Sequence, residues 1–224
     1  MLSLENRLII AGISEAADWV KHRNSHIGAA ITFSRPNMLA EARSFGKQKS
    51  AKVFLARIED RKIPHFRSPF FDNWPPNPLI PNRVGDSEVL KHTFKVADFF
   101  LENMASNQKL MVICMRGSER SAIGAAAMLF VKARAQNMTP AEAAAEAFAA
   151  LGRIRPTARL AHNVAGHLEG SMDADDFRAF KKAADEVSAS KKSSPTPRQA
   201  KKRARFEAMN PIKFLRRRFG SGLG

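Results

Sequence analysis

Residues 110–131 read LMVICMRGSERSAIGAAAMLFV, and they decide how the rest of the chain is arranged. An apolar run, Leu110 to Ile113, ends at Cys114, the only cysteine of the protein. Five residues separate Cys114 from Arg120; Ser121 follows, and then a small-residue apolar stretch from Ala122 to Val131. Strand, loop and helix in that order make an anion cradle, with loop N–H groups and the positive helix end facing one concavity. A thiol placed there is favoured as thiolate, the nucleophilic form. Arg120 could hold an oxyanion in a bidentate fork, which lysine cannot form. Read alone, a single cysteine at a strand end is equally a small buried hydrophobe.

Working outward, RLIIAG (Arg7 to Gly12) and HIGAAITF (His26 to Phe33) are apolar runs that predict two buried strands. Between them, Ser14 is the expected N-cap of a helix through His22, with Ala17, Val20 and Trp19 inward. Strand, helix, strand at this spacing implies a βαβ unit. Met38 to Ile63 is rich in charge, and predicts a short helix and then a strand or helix over Lys52 to Ile58. Pro64 to Pro81 holds six prolines and predicts a rigid, irregular loop. Asp86 opens a helix to about Asn103, with Leu90, Phe94 and Ala97 on its core face. Lys109 to Ile113 is the expected central strand, and Ala122 to Ala135 the helix after the loop. Thr139, Pro140 and Glu142 form a capping box with proline at the favoured first position, for a helix ending at Gly152. Asp173 to Val187 reads as a last amphipathic helix. The fold class is therefore α/β, a mostly parallel sheet flanked by helices, over residues 1–187.

Composition sets the bounds. Hydrophobic residues are 44% of 224, enough for one good core. One cysteine excludes an internal disulfide and suits a reducing compartment, and the N-terminus does not resemble a signal peptide, so a cytoplasmic protein is expected. Residues 188–224 carry eleven Lys/Arg against one acid, Glu207, so about +10 of the net +16 lies there and about +6 on the body. Ser-Ala-Ser-Lys-Lys-Ser-Ser-Pro-Thr-Pro opens that tail as a disordered linker. Basic residues alternating with Phe206, Ile212, Phe214 and Phe219 follow, a mix suited to an anionic membrane surface or to nucleic acid. A solvated tail without a partner is an equal reading. His162 and His167 have no companions at metal spacing, so no metal site is expected.

The C-x5-R-S arrangement of Cys114, Gly117, Arg120 and Ser121 resembles the signature of cysteine-dependent protein tyrosine and dual-specificity phosphatases. The likeness is nearest to small bacterial predicted tyrosine phosphatases, where Phe71-Asp72 stands for a His-Asp pair and Arg155-Pro156 for a later Arg-Pro segment. It covers roughly Arg7 to Gly170. The resemblance implies that Cys114 attacks phosphorus, Arg120 holds the phosphoryl oxygens, and Ser121 stabilises the departing thiolate. It implies that Met115, Arg116, Gly117, Ser118 and Glu119 line the substrate site. Asp72, on a loop upstream of the cysteine, would be the general acid. No metal or cofactor is required. Two positions depart from the pattern: Ile113 replaces a histidine, and Glu119 sets a carboxylate beside Arg120. They keep open a phosphate-binding module that catalyses weakly; a basic nucleic-acid- or membrane-associated protein and a rhodanese-like domain are further alternatives.

Overall fold

The computed structural model describes residues 4–22, 26–35, 37–69, 85–158 and 168–193, without the side chains of 85–87 and 191–193. The chain divides into two units, Met1–Ser188 and Ala189–Gly224, and the fold below is that of the first. A short 3-10 turn, Leu4–Arg7, leads into β1 (Leu8–Gly12), α1 (Ile13–Lys21), β2 (Ile27–Phe33), α2 (Met38–Ser44) and α3 (Gln48–Asp60). Then come β3 (His65–Ser68), α4 (Gly85–Asn103), β4 (Lys109–Cys114), α5 (Arg120–Arg134), α6 (Pro140–Ile154) and α7 (Ala174–Ser193).

The four strands form one sheet in the order β1-β4-β2-β3, every pair parallel. Parallel strands carry helices on both faces and read as unbroken apolar runs, which is how β1, β2 and β4 look in the sequence. Two cores result. One face packs Leu8, Ile10, Ile31, Phe33, Leu110 and Val112 against α4, α5, α6 and α7. The other packs Ala11, Ala30, Met111 and Ile113 against α1, α2 and α3. Ile113 therefore serves the second core, fully buried. The first core tolerates no bulk where α5 crosses β2. A Cβ on Gly124 would lie 2.4 Å from the Phe33 ring, so the glycine lets helix and sheet touch.

Several local expectations change. Pro64 to Pro81 does not begin as irregular loop: His65–Ser68 is the edge strand β3, paired with Ala30–Phe33. Its alternation is too short to read beside the prolines. His65 is pushed down to about 4 by burial, with the Arg67 charge adding, and its neutral ring bonds Thr32 Oγ1 at 2.9 Å. Lys52 to Ile58 is helix, within α3. Gly12, not Ser14, caps α1; Glu15 reaches back to accept the Gly12 N–H at 2.8 Å. Trp19 faces outward, 47% exposed, because Ile13, Ala16, Ala17 and Val20 already fill the inward stripe. The helix after the loop starts at Arg120 rather than Ala122. The Thr139–Glu142 capping box forms, but α6 runs through Gly152 to Ile154, where the Arg155 N–H closes it on the Leu151 carbonyl. α7 continues past Ser188 to Ser193, so the helix reaches into the expected linker. The rest of the tail lies outside the described residues, as do Phe70 to Val84 and residues 159–167 with His162 and His167. Among the described residues no helix is long and apolar enough to cross a membrane.

A Gly124→Ala substitution sets a helix-propensity gain of about 1 kcal/mol against an overpacking cost of about 1–3 kcal/mol. The short Cβ–ring distance decides the sign, and urea denaturation should show a lower midpoint. Pairing it with Phe33→Leu should recover part of the loss, since the clash is with that ring.

Candidate active site

β4 ends at Cys114 between β1 and β2, and the helix that follows β4 goes the opposite way from the helices that follow its two neighbours. α1 and α2 pack on one face, α5 on the other. A crevice must open beyond the carboxyl ends of such strands, and in open α/β sheets this is where ligands bind. The loop Met115–Glu119 occupies that crevice.

Its curl depends on two glycines. Gly117 has φ +73, and a Cβ there would stand 2.2 Å from the Gly12 nitrogen. A Cβ on Gly12 would in turn stand 2.8 Å from the Arg116 carbonyl oxygen. The loop is thus pressed against the end of β1 at a distance only two glycines permit. The curl turns the Gly117 N–H onto Cys114 Sγ at 3.1 Å, and Ser121 Oγ lies 3.3 Å from the same sulfur. Cys114 is 2% exposed, at the floor of the loop. The N–H groups of Arg116, Ser118 and Glu119 find no acceptor among the described residues. These three N–H groups belong to the loop that leads into the fifteen-residue helix α5.

Arg120, the first residue of α5, is buried, and its partner is Glu41 of α2. Arg120 Nη2 bonds Glu41 Oε1, with side chains 5% and 2% exposed. The other Glu41 oxygen accepts the Arg35 N–H at 2.7 Å. Arg120 Nη1 is buried without an acceptor among the described residues. A buried donor left unpaired costs about 1–3 kcal/mol. The acid that meets Arg120 is therefore Glu41, 79 residues away, and not Glu119, which stands at the half-buried N-cap of α5. Glu41 was not legible as a site residue: it lies in a charged segment with weak periodicity.

Lys47, just after α2, donates to the Met115 carbonyl at 2.7 Å and fixes the loop from that side. On the β1 side, Arg155 Nη2 bonds both Glu15 oxygens at 2.8 and 2.9 Å. Burial raises the Glu15 carboxyl, but hydrogen bonds from Arg155 and the Gly12 N–H, with the charges of Arg155 and Lys47, outweigh it and hold the group below its usual 4.5. Arg153 pairs with Glu5 and Glu146 instead, away from the loop.

The structure thus gathers Gly117 and Ser121 around the Cys114 sulfur, with Arg120 buried and held by Glu41, Arg116 exposed and the Met115 side chain in the core. Asp72 lies outside the described residues. A separate groove of about 740 Å³ lies by the turn before β1, lined in part by Glu5, Arg7, Asp98, Lys132 and Glu146. It contains none of the loop residues. Burial, with Glu102 adding and Lys132 opposing, raises the Asp98 carboxyl there. Among the described residues no group of three His, Cys, Asp or Glu could hold a metal. Compared with known proteins, the chain matches no family model and no curated protein.

Glu41→Gln should destabilise the fold by about 3–5 kcal/mol, the usual result of leaving one charge of a buried pair unmatched. Chemical denaturation checks it; an effect below about 1 kcal/mol would mean that water reaches Arg120. Glu15 has a folded pKa below its ordinary value. Its contribution to stability is full above pH 4.5 and is lost as pH falls through the lower, folded value. Thermal melts from pH 6 to 3 should therefore show a smaller acid-side decline in Glu15→Gln than in the native chain.

Proposed function

We propose that the protein is a phosphomonoester hydrolase of the cysteine-dependent phosphatase kind, acting through a cysteinyl-phosphate intermediate. The observation that carries the reading is the loop Cys114–Ser121, whose Gly117 N–H and Ser121 Oγ both meet the sulfur, followed by a buried Arg120 whose Nη1 has no acceptor among the described residues. Phosphoryl transfer depends mostly on positioning and charge stabilisation, and such preset donors supply both.

In the first step the Cys114 thiolate attacks phosphorus; an S–P bond forms and the P–O bond to the leaving group breaks. Asp72 gives its proton to the departing oxygen. The equatorial oxygens lie on the loop N–H groups and Arg120. In the second step water attacks phosphorus, Asp72 takes a proton from it, and the S–P bond breaks. The sulfur leaves as thiolate, and Ser121, 3.3 Å from it, donates to the returning charge. Free enzyme, inorganic phosphate and the alcohol or phenol result.

One observation favours a second reading, a phosphate-binding module with weak catalysis. Glu41 offsets the charge of Arg120, and Ile113 supplies no polar group beside the sulfur. For the tail beyond Ser188, association with an anionic membrane or with nucleic acid is a separate proposal resting on its eleven basic residues.

Hydrolysis of a small aryl phosphate by the full chain, from about pH 5 to 8, tests the reading. Cys114→Ser should fall to background. Arg120→Lys should lose about 10²–10³-fold, the cost of one oxyanion donor set. Asp72→Asn should lose about 10²-fold or more, less for good leaving groups. Unchanged turnover in Cys114→Ser would overturn the mechanism. No turnover in the native chain, with phosphate still protecting Cys114 from alkylation, would select the binding module.

A further inference from the structure

Arg116 stands two residues beyond Cys114, on the loop read above as the phosphoryl cradle, and its proposed role rests on that reading. Its side chain is exposed, and its guanidinium carbon lies 5.1 Å from the centroid of the Phe45 ring. Phe45 is the C-cap of α2 and is itself 38% exposed. The other arginines around the loop are committed, Arg120 to Glu41 and Arg155 to Glu15. Among the described residues no carboxylate pairs with Arg116. Lys47, two residues after Phe45, is held by the Met115 carbonyl, a neutral partner, so its charge is also only partly offset, through its attraction for Glu15.

A guanidinium stacked on an aromatic face keeps its N–H edges free in the plane and loses little freedom when it grips an anion. The N–H of the same residue also finds no acceptor among the described residues, so side chain and main chain both offer donors at this position. A phosphomonoester with a single phosphoryl group would fill the cradle and leave the rim charge unmatched. Arg116 on the loop and Lys47, bonded to the carbonyl of the preceding loop residue, both bring positive charge to it, and two cations match a dianion better than a single carboxylate.

We propose that Arg116, braced on Phe45, is a second anion clamp, and that the substrate is a phosphomonoester bearing a second phosphoryl group. One phosphoryl group sits in the Cys114 loop while the other meets Arg116 at the rim. The Arg116 side chain sets specificity through binding and takes no part in bond making.

The test uses the full chain carrying Cys114→Ser, titrated calorimetrically with inositol 1-phosphate and inositol 1,4-bisphosphate. The bisphosphate should bind about tenfold tighter at low salt, as expected of a charge-assisted contact at an exposed site. The preference should shrink as ionic strength rises through about 0.1 M, where screening acts over about 10 Å. Adding Arg116→Ala should bring the ratio near one, and Arg116→Lys should restore part of it. Equal affinities in Cys114→Ser, or a preference that survives Arg116→Ala, would overturn the clamp. Phosphate release by the native chain is read on the same esters and on an aryl phosphate. Release from none of them, with the binding preference intact, would overturn the hydrolase reading and leave the clamp standing. Failure of both esters to bind would overturn both.

Discussion

A positive charge buried at the start of a helix must be matched, and the pairing of Arg120 with Glu41 organises the site around that need. Removing both charges from water is costly, and the pair repays it only when further hydrogen bonds complete the geometry. Here the Arg35 N–H completes Glu41, while one Arg120 nitrogen is left without a partner among the described residues. The pair holds the arginine in place at the start of α5. It also dictates where α2 lies, and with it the turn that carries Phe45 and Lys47 to the loop.

The sheet supplies the place for this pairing. Inserting β4 between β1 and β2 sends helices to opposite faces from neighbouring strand ends, so the crevice is a consequence of strand order. Gly12 and Gly117 then let the loop lie against β1, which turns the Gly117 N–H onto the Cys114 sulfur. The Glu15–Arg155 pair closes the same edge from outside, tying the end of α6 to the start of α1. Three elements far apart in sequence thus brace one short loop, and such bracing is what preset donors require to act without reorganising.

Packing deeper in the molecule serves the same end. The small residues of α5 bring it onto Phe33, and the helix whose N-terminus faces the crevice is thereby fixed to the central strands. Cys114 belongs at once to that core and to the loop. Its low exposure makes it both a packed side chain and the floor of the crevice, so the bland and the chemical readings of a lone cysteine describe one position.

What the sequence determined by itself was local. Unbroken apolar runs marked β1, β2 and β4; the Thr139–Pro140–Glu142 box marked the start of α6; the order strand, Cys114, Gly117, Arg120, helix marked the loop. Each signal lies within a few residues, where period and capping chemistry act. Only the tertiary structure decided that β4 lies between β1 and β2, because strands buried on both faces carry no mark of their neighbours. Only it chose Glu41 over Glu119 as the partner of Arg120, set Gly12 against Gly117, and laid Arg116 on Phe45. Those choices join residues up to 105 positions apart (Gly12 and Gly117), and they follow from burial and close approach, which exist only once the chain has folded.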